Sequence, residues 1–179
     1  MRRRTVLAST GTVSLLGGCL GGDESEPGDE EDGCPTPDLD DELASSSHEP
    51  TRLFEAVDGG VVDVALLTDP DDATRFDADL DTEDESFVEE TDFGTEAVIA
   101  FQIGSSGEST APVPLGVERD GGTIRAYTCI EESGLTEDLA IYALLLRVET
   151  GSNPVETAEV VHHEDGSECR LSSESTTRE

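Results

Sequence analysis

The sequence predicts a mainly β fold, β-rich α+β in class: a single small antiparallel β domain with one or two short helices, carried on a disordered acidic tether. Three observations predict it. Apolar residues come in short runs bounded by glycine, as in AVIAFQI between Gly94 and Gly104, a length that suits strands better than helices. Gly-Gly pairs at 59–60 and 121–122 each separate two such runs, and glycine supplies the positive φ that a two-residue hairpin turn requires. Between residues 19 and 47 the chain has few apolar side chains to bury, and acidic runs such as DESEPGDEED dominate it.

Residues 1–18 have the layout of an export signal peptide: a charged start at Arg2, Arg3 and Arg4, a modest apolar run from Val6 to Leu16, and small residues before Cys19. That run is far below the roughly 20 apolar residues a spanning helix needs. Leu16-Gly17-Gly18-Cys19 resembles the lipobox of secreted lipoproteins, where cleavage precedes the cysteine and lipid is joined to its sulfur. Arg3-Arg4-Thr5-Val6-Leu7 resembles a twin-arginine export motif, departing from it at Val6, where Phe is favoured, and in having no Lys after Leu7. These resemblances imply lipidation at Cys19, export through Arg3 and Arg4, and a protein held by lipid on the extracellular face of the cell membrane. A general secretory signal with an incidental cysteine is the alternative.

Residues 19–47 read as the lipid-anchored acidic linker, with a fully extended reach approaching 90 Å, on the order of 3.3 Å per residue. Residues 48–164 hold enough apolar side chains for one core. RLFEAV and VVDVALLTD, about Gly59-Gly60, read as a first hairpin. DPDDATRFDADL suits a short helix, with Pro70 just inside an acidic start. AVIAFQI, apolar throughout, reads as a strand buried on both faces. VPLGVERD and TIRAYTCI, about Gly121-Gly122, read as a second hairpin. LAIYALLLRVE is open between helix and strand, because Thr136-Glu137-Asp138 resembles a helix start while Gly134 and Gly151 bound a short apolar run. VETAEVV is a last strand, and residues 165–179 are a polar C-terminal tail expected to fray.

The net charge is −33, and all ten basic residues are Arg. Removing residues 1–18 takes away three Arg and no acid, leaving −36. Such a charge repels itself in dilute buffer, whereas in molar salt the screening length falls to about 3 Å. An acidic, Lys-free chain with 4% aromatic residues resembles the surface proteins of extreme halophiles. No nucleic-acid partner is expected, since the mature Arg residues are scattered and phosphate would be repelled.

The stretch TDFGTEAVIAFQIGSSGESTAPVPLGVERDGGTIRAYTCIEESG, followed by LAIYALLLRVE, resembles the PrcB C-terminal-like domain of secreted and lipid-anchored proteins. Asp92-Phe93, the loop Gly104 to Gly107, the turn Asp120 to Gly122 and the strand Leu139 to Val148 carry the resemblance, over about residues 85–150. The aromatic that usually follows the Gly-rich loop is missing. The resemblance implies a compact β-rich domain, implies that LAIYALLLRVE is a strand, and implies no activity.

Chemical motifs are few. With Cys19 lipidated, Cys34, Cys129 and Cys169 remain, an odd number in an oxidising compartment. One disulfide plus a buried thiol is expected, with Cys34 and Cys169 in flexible flanks as the preferred pair, although spacing alone does not fix the pairing. His162-His163 with Cys169 raises copper or zinc, but adjacent side chains on a strand point to opposite faces, so surface histidines at a strand end are the expectation and no metal is assigned. DADLDTEDE lacks the sixth-position Gly (Thr82) and the twelfth-position Glu (Val88) of a calcium loop and reads as a solvated acidic face. GSSG at 104–107 is one residue short of a nucleophile elbow, and its composition is that of a turn. No cofactor motif is present. The expected function is therefore that of a non-enzymatic, lipid-anchored binding or accessory module with a protein partner at the cell surface. A hydrolase or metal-dependent enzyme, its site assembled from dispersed Ser, His and acidic residues, is the alternative.

Overall fold

The computed structural model of the chain describes residues 33–54, 62–76, 80–107, 109–131 and 139–173. Among them are eight strands, β1 Ser45–His48, β2 Val62–Leu67, β3 Glu96–Ser106, β4 Val113–Asp120, β5 Thr123–Cys129, β6 Leu139–Glu149, β7 Thr157–Glu164 and β8 Ser167–Ser172. A 3-10 helix, Pro70–Arg75, and the helix α1, Thr82–Glu89, complete the elements. The chain is β-rich, as its short apolar runs predict. One sheet has the order β1-β6-β3-β2 and is antiparallel throughout; the other has the order β4-β5-β7-β8, with β5 and β7 parallel.

Alternation along the strands divides the apolar side chains between two cores. Ile99 and Phe101 of β3, Leu144 and Leu146 of β6, Ile124 and Ala126 of β5 and Ala158 and Val160 of β7 belong to the core between the sheets. The other face of the first sheet, including Val98, Ala100 and Leu145, packs with Leu53, Phe54, Phe76 and Val88. This is why AVIAFQI is apolar throughout: β3 is buried on both faces. LAIYALLLRVE resolves as the strand β6, paired with β3 from Glu96↔Glu149 to Ser106↔Leu139.

The helical layer is fixed by local chemistry. Asp69 caps the 3-10 helix by accepting from Asp71 N at 2.9 Å, and Pro70 follows it. The helix expected across Asp69–Leu80 is shorter than that, and Asp77–Asp79 lie outside the described residues. Asp81 caps α1 by accepting from Glu83 N and Asp84 N, while Asp84 accepts from Asp81 N, a reciprocal capping box. Part of the acidic face expected to be solvated is thus a helix start. Asp84 is buried and meets His48 Nε2 at 2.6 Å. Arg147 of β6 lies 4.3 Å above the Phe87 ring and donates to Thr91 Oγ1 and to the Phe87 carbonyl.

The structure corrects four expectations. The first hairpin does not form as read: β2 pairs with β3, from Val62↔Ile103 to Leu67↔Val98, and Leu53-Phe54 is not a strand. The Gly59-Gly60 turn lies outside the described residues. The buried amide of Gln102 takes the place of a partner strand, accepting from Leu53 N (2.8 Å) and Phe54 N (3.0 Å) and donating to Phe54 O (3.0 Å).

The acidic linker ends earlier than residue 47. Leu43 N donates to Val117 O at 2.8 Å, Arg119 N to Asp41 O at 3.0 Å, and Glu149 N to Ala44 O at 2.9 Å, after which β1 pairs with β6. The half-buried Leu39 and Leu43 give this segment the apolar grip its acids lack.

The expected polar tail supplies β8, paired antiparallel with β7 through Glu164↔Ser167. Asp165 (φ 51°) and Gly166 (φ 70°) form its turn, and positive φ at both central positions is the hairpin-favoured geometry.

Last, Cys34 is bonded to Cys129 and not to Cys169. Segment 34–43 runs along β4, beside β5, and this brings the two sulfurs together. Cys169 lies opposite His162 on β8, and no described cysteine is a free thiol, so the expected buried thiol is not found.

Candidate functional site

The inner-face positions of three strands turn polar at the same end of the sandwich. On β3 the series Ala97, Ile99, Phe101, Ile103 continues to Ser105; on β5 Ile124 and Ala126 lead to Thr128; on β7 Ala158 and Val160 lead to His162 and Glu164. Strand pairing places Thr128 directly across from His162. Thr128 Oγ1 and His162 Nδ1 are 2.9 Å apart, and the imidazole lies against Phe101 with centroids 5.5 Å apart. Ser105 hydrogen-bonds Glu164 across the two sheets and Ser109 Oγ at 2.9 Å, and Tyr142 donates its hydroxyl proton to the Ser109 carbonyl.

His162 is the unusual member. It is 2% exposed, its Nε2 has no hydrogen-bond partner among the described residues, and the ion-pair contact of that atom is Glu164 Oε2 at 4.0 Å. Burial, with a smaller contribution from neighbouring His163, pushes its pKa down to about 4. The ring is therefore neutral at neutral pH. If Thr128 donates to Nδ1, the proton sits on Nε2 and faces Glu164. His163 points the other way and lies 3.8 Å from Glu168, so the two histidines do face opposite sides. His162 itself is a core residue and not the surface histidine expected, because its position on β7 has inner-face parity.

This cluster joins serine, threonine, histidine and glutamate in one place, yet it is closed. Ser105 is 4% exposed and Thr128 0%, so neither hydroxyl is open to a substrate. Ser105 bonds Glu164 in place of an imidazole, an order unlike that of a nucleophile activated by a base. What the arrangement does is link the sheets and hold a neutral base in the core. Ser105 belongs to the GSSG stretch and ends β3; it is not raised on a strand-to-helix turn.

The outer face of the second sheet carries a different network. Arg125 reaches Glu159 at 2.6 Å, Glu118 at 3.0 Å and Asp120 at 3.5 Å. Tyr127 donates to Glu118 at 2.7 Å and Asp40 N donates to it at 3.2 Å. These donors, led by Tyr127, hold the Glu118 carboxyl below its ordinary range, while burial and then Glu118 raise the Tyr127 phenol. Every charged group in this network has an opposite charge beside it.

No family model matches the chain, and no curated protein or solved structure matches it. A groove of about 280 Å³ at the opposite end of the sandwich lies between Phe93–Ala97 and Thr150–Val155. Its backbone donors Thr150 N and Gly151 N both bond Thr95 O at 2.9 Å and do not point at a ligand. Arg3, Arg4 and Cys19 lie outside the described residues. Of the chemical residues read from sequence, the structure brings together Cys34 with Cys129 and places Cys169 opposite His162. Sequence reading missed Thr128, Tyr142 and Glu164; extending the alternation of each apolar run by one step finds Thr128, and by two steps Glu164.

Proposed function

We propose that the protein is a lipid-anchored module of the extracellular membrane face, binding or accessory in role and not enzymatic, adapted to high salt. The observation that carries the reading is the closure of the Ser105–Glu164–His162–Thr128 cluster. It is the assembly that the alternative hydrolase would need, and its hydroxyls are buried and bonded to one another or to Glu164 and His162. The resemblance to the PrcB C-terminal-like domain belongs to this reading and supplies no activity to set against it.

The anchor is Cys19. From there the chain reaches the cross-linked Cys34 over at most about 50 Å when extended, little more than half the reach of a linker running to residue 47. One acyl chain binds a membrane only marginally, so the reading requires two chains or a second signal. Cys19→Ser is expected to move the protein from membrane to medium or to leave it unprocessed. Normal processing with membrane retention would overturn the lipoprotein reading.

Salt adaptation has a separate test. At about 0.15 M salt the screening length is about 8 Å, so carboxylates interact across the surface; in molar salt they do so only at contact. The midpoint of thermal unfolding is expected to fall steadily as KCl is diluted from molar to millimolar. An unchanged midpoint would mean that the acidic surface serves solubility alone.

A further inference from the structure

The segment 34–43 is a strap. It lies along the β4 edge through two backbone hydrogen bonds, Leu43 N to Val117 O and Arg119 N to Asp41 O, with Asp40 N on Glu118. Leu39 seats on Gly116, where β4 bulges between Pro114 and Gly116; a Cβ at that glycine would come within 2.6 Å of Leu39 Cδ1. Charge works against this hold. Asp38, Asp40, Asp41 and Glu42 are all exposed on the strap, and Glu42 stands directly opposite Glu118 in an isolated bridge. Like charges facing across a strand pair are destabilising. The covalent bond from Cys34 to Cys129, across 95 residues of chain, restrains the strap's outer end, beyond Leu39 and Asp40.

We propose that the strap exchanges between copies: when Cys34–Cys129 is reduced, the β4 edge takes segment 34–43 of a second copy, and reoxidation locks Cys34 of one chain to Cys129 of the other. The occupant is a second copy because the edge is shaped for this segment, with a glycine bulge under Leu39 and a cysteine at the right distance beyond it. Each copy carries both halves, which is the condition for a closed, swapped dimer. Ala44, between the strap and β1, is the hinge, so β1 keeps its place on β6.

The redox step balances with a dithiol reductant. Its thiolate attacks the half-exposed Cys34 sulfur, since Cys129 is only 3% exposed. The S–S bond breaks, Cys129 leaves as thiolate and takes a proton, and the second thiol of the reductant displaces Cys34 and closes a cyclic disulfide. Two electrons pass to the cysteine pair. On reoxidation a low-molecular-weight disulfide takes them back.

The experiment needs no altered cysteine. Full chains labelled with ¹⁴N and ¹⁵N are mixed in molar KCl, reduced with dithiothreitol, reoxidised with glutathione disulfide, and digested for mass spectrometry. Exchange predicts hybrid Cys34–Cys129 peptides that rise with protein concentration toward about half of all such linkages, as random choice between two labels requires, and a dimer in light scattering. Random cross-linking of thiols would give hybrid Cys34–Cys34 and Cys129–Cys129 peptides as readily, whereas exchange on the β4 edge joins Cys34 of one label to Cys129 of the other. Same-label peptides alone at every concentration, or hybrid Cys34–Cys34 and Cys129–Cys129 peptides as abundant as hybrid Cys34–Cys129, would overturn the proposal. Circular dichroism of the reduced chain confirms that the β structure persists during exchange.

Discussion

Gln102→Leu is expected to destabilise the protein by several kcal/mol, on the order of 3 to 6, in molar KCl. The side chain is fully buried and satisfies two backbone N–H groups and one carbonyl of Leu53-Phe54, a pair itself 0% and 3% exposed. Leucine nearly preserves volume, so packing changes little and the loss comes from three polar groups left without partners. Each such group costs about 1 to 3 kcal/mol. The segment that would be released also carries Phe54, which meets the Phe76 ring edge-on at 5.7 Å, so the outer core would loosen with it. Because natural domains hold only about 5 to 15 kcal/mol in reserve, the variant should sit near its unfolding limit at reduced salt. Chemical denaturation of both proteins decides the point. A loss below about 1 kcal/mol would show that packing alone holds Leu53-Phe54 in place, without Gln102.

Stability is also expected to fall with acid through one histidine. In the native state His162 takes its proton only at about pH 4; in the unfolded chain it does so at the ordinary value near 6.5. Between those values the unfolded chain binds the proton and the folded chain does not, so stability is fully present above pH 6.5 and declines as pH falls toward 4. The difference corresponds to a loss of about 3 kcal/mol, taken as an upper figure. The ring is enclosed by Thr128 on β5 and Phe101 on β3, with Glu164 and His163 on its own strand and Cys169 opposite on β8. Acid also relieves repulsion among the surface carboxylates, which acts in the other direction. The comparison is therefore between wild type and His162→Gln, melted from pH 7.5 to 4 in molar KCl. The wild type should lose more over that range; parallel curves would sink the prediction.

What could be seen in the sequence was what depends on neighbouring residues. Glycine bounds and an unbroken apolar run mark β3, and Gly121-Gly122 marks the β4–β5 hairpin with its Asp120↔Thr123 register. β6 was open between helix and strand because a wholly apolar run has no period to read. Its pairing with β3, settled only by the tertiary fold, decides it. The strap and β8 were hidden by composition: acids and serines suggest solvent, and neither Leu39 nor the Asp165-Gly166 turn outweighs that on charge counting alone. The disulfide could not be assigned, because Cys34 and Cys129 meet only once the strap lies along β4. The closed cluster was half legible. His162 stood out as a residue type, but its burial follows from the parity of β7, which begins at Thr157.

The parallel pairing of β5 with β7 has a consequence for how the chain must assemble. Between those two strands the chain leaves the second sheet, supplies β6 to the first, and returns. Neither sheet is therefore contiguous in sequence: the first receives β6 only after β4 and β5 have intervened, and the second receives β7 only after β6. A break between β5 and β6 would divide both sheets at once, giving fragments that must find each other before either sheet is whole. Most of the ordering cost precedes the contacts that reward it, which places this fold among the high-contact-order domains that form in milliseconds to seconds.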